Sequence, residues 1–123
     1  MPSGRRSKYN AKRTTVDGLK FDSLSEAARY AELRLLEAAG AIANLQVHPR
    51  FVVQDAFVDG DGRRWGAIVY VADFAYTEGD QTIVEDVKGT ETQAWRLKRK
   101  LFLKRYDMPL RVIPAGRKGA KYV

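Results

Sequence analysis

Asp73, Asp86 and Lys88, near the middle of the chain, are side chains that could act together on a phosphate or a metal ion. Their spacing decides whether they meet. Trp65 to Gly89 reads as two strands about a break, with Ile68, Val69, Val71, Phe74 and Tyr76 before it and Ile83, Val84 and Val87 after. These β-branched and aromatic residues suit a pleated surface. Between the strands Gly79-Asp80 is expected to form a two-residue hairpin loop, because glycine accepts the positive φ of the first central position in a type II′ turn. That loop sets a register in which Glu78 faces Gln81, Asp73 faces Asp86 and Val71 faces Lys88. Opposed residues share a face with Cβ atoms roughly 5 Å apart, so the two carboxylates repel. A sheet built only for stability avoids such a pair. A divalent cation turns it into a site.

The period of a strand sorts the remaining charges. Asp86 and Lys88 fall on one face, and Glu85 points to the other. An acid on one strand and an acid-x-Lys on the next resembles the signature of the PD-(D/E)xK nuclease superfamily, with Ala72 standing where the superfamily's name has proline. Within it the chain is most similar to a family of small phage and prophage proteins that share segments like KYNAKRTTVDGLKFDSLSEA, YVADFAY and VEDVKG. The similarity runs to about residue 106.

The resemblance implies a restriction-endonuclease-like core and a metal-dependent endodeoxyribonuclease. It implies Mg²⁺ or Mn²⁺ on Asp73 and Asp86, assisted by the Val87 carbonyl and Glu26. Lys88 would orient the water that attacks phosphorus, leaving a 5′-phosphate and a 3′-hydroxyl. Gln93, opening the next helix, matches a polar active-site position of some relatives. Size and core are similar to those of Holliday-junction resolvases, which suggests branched DNA in phage DNA processing, although no residue selects that substrate. DNA is the expected partner, a homodimer is left open, and a phage protein would work in the host cytoplasm.

The elements that must position these residues are legible in order. Residues 1–13 carry five basic side chains and no apolar period, as in a flexible basic arm, and 14–123 are expected to form one domain. Asp17-Gly18 suits a type I′ turn between two short strands. Ser23-Leu24-Ser25-Glu26 is a capping box that opens a helix, and Gly40 closes it. Leu24, Ala28, Ala31, Leu35 and Ala38 form the apolar stripe expected to face the core. Glu26 has two readings, the cap of its own helix or a third carboxylate for the metal, and local sequence does not choose between them.

Ile42 to Val47 and Phe51 to Val58 read as strands interrupted by His48-Pro49-Arg50. His48, the only histidine, reads as a loop or edge residue beside a proline. A single histidine and no cysteine exclude HNH-type nucleases, zinc deaminases and metalloproteases, which need two or more such ligands. Asp59-Gly60-Asp61-Gly62 is a turn and not a calcium loop, since Arg63 takes the fifth position and the twelfth lacks glutamate. A second helix is expected over Glu91 to Tyr106, packing Trp95, Phe102, Leu103 and Tyr106 on the sheet. A last short strand follows from Met108 to Pro114. The whole is α+β, a mixed β-sheet flanked by helices.

Charge is uneven along the chain. Residues 1–20 carry +5, residues 21–89 carry −6 and residues 90–123 carry +8, for a net +7. An acidic middle between basic ends fits a carboxylate site flanked by phosphate-binding surfaces. Lys8, Lys12 and Arg13 of the arm, with Gln93, Arg96, Lys98, Arg99 and Lys100 of the second helix, are the expected nucleic-acid contacts. No apolar run reaches membrane-span length, so a soluble intracellular protein is expected. The alternative reading is a DNA-binding accessory without catalysis, and a weaker one is an RNA-binding protein.

Overall fold

The structure, a computed structural model, describes residues 13–116. Lys8, Lys12, most of the arm and the basic tail from Arg117 lie outside the described residues. A hairpin opens the fold, with β1 (Thr14–Val16) paired antiparallel to β2 (Leu19–Phe21). Its turn holds both Asp17 and Gly18 at positive φ, 55° and 78°, as a type I′ turn requires.

The helix α1 (Leu24–Ala38) begins as its capping box dictates, with Ser23 Oγ accepting from the Glu26 N–H at 3.1 Å. Such a cap contributes about 1 kcal/mol. The helix ends in a Schellman motif about Gly40 (φ 83°), in which the Gly40 and Ala41 N–H groups donate to the Glu37 and Leu36 carbonyls.

The face that α1 buries differs from the expected one. Ala27, Tyr30 and Leu33 enter the core with Glu26, whereas Leu24 is 58% and Leu35 72% exposed. The helix is apolar on two sides, and its partners choose between them. Phe21, Phe74, Tyr76 and Ile83 form a pocket that the Tyr30 ring fills and a row of alanines cannot.

The chain then runs through β3 (Ala43–Val47), β4 (Arg50–Gln54), β5 (Phe57–Val58), β6 (Arg64–Trp65), β7 (Ile68–Val71), β8 (Phe74–Glu78) and β9 (Gln81–Lys88). The helix α2 (Gln93–Arg105) and β10 (Leu110–Pro114) complete it. Strands β10-β9-β8-β3 form a mixed sheet in which only β10 and β9 run parallel. Side-chain alternation splits its two faces. Phe74, Tyr76 and Ile83 pack beneath α1, while Ala75 and Val84 pack with Trp95 and Phe102 of α2. Leu103, expected on the sheet, is 50% exposed, and Leu101 packs against that core in its place. The observed class is therefore α+β, a four-stranded mixed sheet with a helix on each side and a separate antiparallel pair, β4 with β7, packed against α2. No helix among the described residues is long and apolar enough to cross a membrane.

The hairpin about Gly79 (φ 64°) has the expected register, Glu78 opposite Gln81 through Phe74 opposite Glu85. It stops there. Val71 pairs with Arg50 of β4, not with Lys88, because the strand breaks at Ala72-Asp73. Its neighbour breaks at the same level, at His48-Pro49, and the two breaks are bonded to each other. The His48 N–H donates to the Asp73 carbonyl at 2.9 Å, and the Ala72 N–H to the Pro49 carbonyl at 3.1 Å. Proline has no N–H to give a ladder, which is why the double break sits there.

Candidate metal centre at the strand break

The break determines where Asp73 points. Its N–H bonds to the Glu85 carbonyl at 3.1 Å and to Asp86 Oδ1 at 2.9 Å. Its own Oδ2 accepts from the Val87 N–H at 2.7 Å. Each carboxylate thus grips the other strand's backbone, and the two acids meet through these bonds across the break, not as the directly opposed pair of a continued ladder. Val87 meets the site through this N–H.

The remaining expected residues divide between the two sides of the sheet. Asp86, 2% exposed, turns toward α2, where its Oδ2 accepts from the Tyr70 hydroxyl and from Trp95 Nε1, the latter at 2.7 Å. A carboxylate offers about four lone-pair positions, and three of these are taken. Lys88 lies on the same side, its Nζ 5.1 Å from the centre of the Trp95 ring, whose other cation is Arg99 at 4.5 Å. Burial, with the Asp86 charge next, raises the Tyr70 hydroxyl pKa far above its ordinary value, so it stays a proton donor.

On the α1 side Glu26 is 4% exposed and splits its two oxygens. Oε1 accepts from the Asp22 N–H at 3.2 Å as a helix cap, and Oε2 meets His48 Nε2 at 2.7 Å. The cap therefore takes one oxygen and leaves the other facing the cluster. Burial, then Asp86, then Glu26 push Asp73 up to about 8, against the Val87 N–H that lowers it. Glu26, His48 and Asp73 each offer a ligand atom, all within 4.8 Å of one another.

His48 is the residue that local sequence reads as a mere loop or edge position. Its φ of 56° turns the side chain from the sheet edge toward α1. The one available signal was the match between His48-Pro49 and Ala72-Asp73 across a long-range strand pair.

The basic residues of α2 are partly occupied. Arg96 and Arg99 both lie 3.6 Å from Glu91, and Arg105 pairs with Asp55 at 3.1 Å. Lys98 is half-exposed and Lys100 exposed, and Gln93 is exposed in the first helical turn. Arg13 is exposed, 4.0 Å from Asp22.

Residues 6–119 match the family described as Protein of unknown function (DUF1064). The chain belongs to that family. No curated protein matches it. In this DUF1064 member the matched region includes every residue of the break, of both helices and of the carboxylate cluster.

Proposed function

We propose that the chain is a metal-dependent endonuclease of the PD-(D/E)xK type, with a restriction-endonuclease-like core, hydrolysing phosphodiester bonds in DNA. The observation that carries this reading is the convergence of Glu26, His48 and Asp73 from three separate elements. Among the described residues no lysine or arginine pairs with Glu26, Asp73 or Asp86. Buried carboxylates left so close favour an added positive charge.

The donor set fits a divalent cation. Two carboxylates supply the hard oxygens that Mg²⁺ and Mn²⁺ take, and the imidazole shifts preference toward a transition metal such as Mn²⁺. Once bound, such an ion lowers the pKa of a coordinated water and offsets phosphate charge. The chain's residues have separable parts. Glu26 and Asp73 would hold the ion, and His48 would complete the set once the hydrogen bond between its Nε2 and Glu26 Oε2 gives way to the ion. Asp86 acts as a positioning residue through the Asp73 N–H, a narrower part than the ligand the resemblance implied. Lys88, beside Trp95 on the α2 side and apart from Glu26 and His48, attracts the DNA backbone in this reading and does not orient the water at the ion.

Supercoiled, linear, flapped and four-way-junction DNA, each with Mg²⁺ or Mn²⁺, test the reading. Cleavage should require the ion. It should fall about a thousandfold in Asp73→Asn, or ~4 kcal/mol at ~1.4 per decade, while DNA binding in EDTA holds. A second reading draws on the occupied lone pairs of Asp86: a DNA-binding accessory without catalysis. It takes over if the wild type binds DNA and cuts none of the four substrates with either ion.

A further inference from the structure

The segment from Phe57 to Trp65 stands apart from both cores. Strands β5 and β6 form a two-stranded ribbon of their own, with two pairs, Phe57 opposite Trp65 and Val58 opposite Arg64. A ribbon so short buries no core and is marginal by itself. Asp59 stiffens it. Its carboxylate accepts from the Asp61 and Arg63 N–H groups at 2.9 Å and from Trp65 Nε1 at 2.8 Å. The Asp59 N–H donates to the Arg63 carbonyl at 2.9 Å, and Gly62 takes the positive φ of 83° that closes the turn.

This bracing fixes an apolar surface in water instead of hiding it. Phe57 is 46%, Val58 59% and Trp65 44% exposed. The Phe57 and Trp65 rings lie stacked at 6.4 Å, and the Arg63 guanidinium sits 5.3 Å from the centre of the Trp65 ring. Arg64, paired with Val58, lines the cavity that adjoins the rings, so a second guanidinium stands near the aromatic pair. Of the two acids between the strands, Asp59 is turned onto its three donors, and Asp61 stands exposed at the tip of the turn. A cavity of about 320 Å³ lined by Ala56, Phe57, Val58, Arg64, Trp65 and Gly66 adjoins the rings. That is the low end of the range for small-ligand sites, roughly 300–1,000 Å³.

Flat π faces presented beside guanidinium groups recognise nucleobases that are not stacked in a duplex. Base–aromatic stacking is indifferent to sequence, and arginine adds both stacking and phosphate attraction. The indole N–H is already bonded to Asp59, so the ring offers its face and not its edge. Bracing before binding reduces the ordering cost on binding. A chain of net +7 further favours a polyanion over an apolar protein partner.

We propose that the Phe57–Trp65 ribbon binds unpaired bases of a nucleic acid. This rests on the DNA reading above and sharpens it, since a nuclease with such an arm takes substrates that contain single-stranded segments.

Affinity for fluorescein-labelled oligo(dT), oligo(rU) and a blunt duplex of equal length, measured in EDTA with the full chain, tests it. Single strands should quench tryptophan emission. Trp65→Ala and Phe57→Ala should each weaken single-strand binding about tenfold, within the ~1–3 kcal/mol span for one stacked base, and leave duplex binding within about twofold. Trp65→Phe keeps a ring and should keep affinity while losing the quench, which guards against a folding defect in the alanine variant. The dT and rU arms separate DNA from RNA. Equal losses on duplex and single strand, or no loss, overturn the proposal. So does a concentration-dependent dimer in sedimentation that Trp65→Ala dissolves without changing oligo(dT) affinity. Because no divalent ion is present, a protein that cuts nothing can still pass this test. One that cuts duplex DNA can still fail it.

Discussion

Two carboxylates, Glu85 on β9 and the half-buried Asp73 at the break beside it, are treated in opposite ways. Glu85, fully buried on the α1 side, accepts from two of the three Arg29 guanidinium nitrogens, Nε at 2.8 Å and Nη2 at 2.7 Å, and from the Tyr76 hydroxyl, while Nη1 donates to Glu32. The pair is mutual, since the Glu85 hydrogen bond raises the Arg29 pKa well above its ordinary value. Asp73, at the break beside Glu85 and Asp86, has two further acids, the Val87 N–H and one imidazole nearby, and among the described residues no guanidinium or ammonium is paired to it. The fold can therefore supply a cation to a buried acid where it needs only to close a structure. At the strand break no such cation stands among the described residues, and the proposed metal site rests on that difference from the internal clamp between α1 and β9.

Breaking the clamp should do the most damage. Arg29→Ala leaves Glu85 charged and buried, which should cost about 3–5 kcal/mol in urea unfolding. Replacing both partners, Arg29→Met with Glu85→Leu, should recover most of it. If the single variant is as stable as wild type, the clamp is not structural and the contrast collapses.

Next in size is the response of the open cluster to a cation. Mn²⁺ at about a hundredfold above its Kd should stabilise the wild type by about 2.7 kcal/mol, reversed by EDTA. The rise in Tm should vanish in Asp73→Asn. Without metal that variant should be at least as stable as wild type above about pH 8, where Asp73 is charged, because a repelling charge is gone and the Val87 N–H keeps an acceptor. A thermal melt with both proteins, with and without Mn²⁺, decides this.

A subtler change separates positioning from ligation. Trp95→Phe keeps the ring under Lys88 and Arg99 but removes the indole donor to Asp86. One lost hydrogen bond to a buried acid should cost about 1–2 kcal/mol of stability. The apparent Mn²⁺ affinity, read by titrating the melting shift, should stay unchanged. A matching loss of metal affinity would return Asp86 to the ligand set.

Turns and caps were legible in the chain itself. Asp17-Gly18, Gly79-Asp80, Ser23 with Glu26, and Gly40 each dictate a turn or a cap through backbone φ or one short hydrogen bond, and each stands where expected. The hairpin register carried that certainty as far as Phe74 opposite Glu85, and the strand break then set how Asp73 meets Asp86. Whatever depends on distant partners had to await the folded molecule. α1 had two apolar sides, and only the pocket of Phe21, Phe74 and Tyr76 chose the one with Tyr30 over the one with Leu24 and Leu35. Polar Glu26 and Arg29 turn inward because His48 and Glu85 wait there, from segments 22 and 56 residues away. His48 itself joined the cluster only because its proline break lined up with the break at Asp73. That alignment comes from pairing two strands across the fold, and no local propensity encodes it.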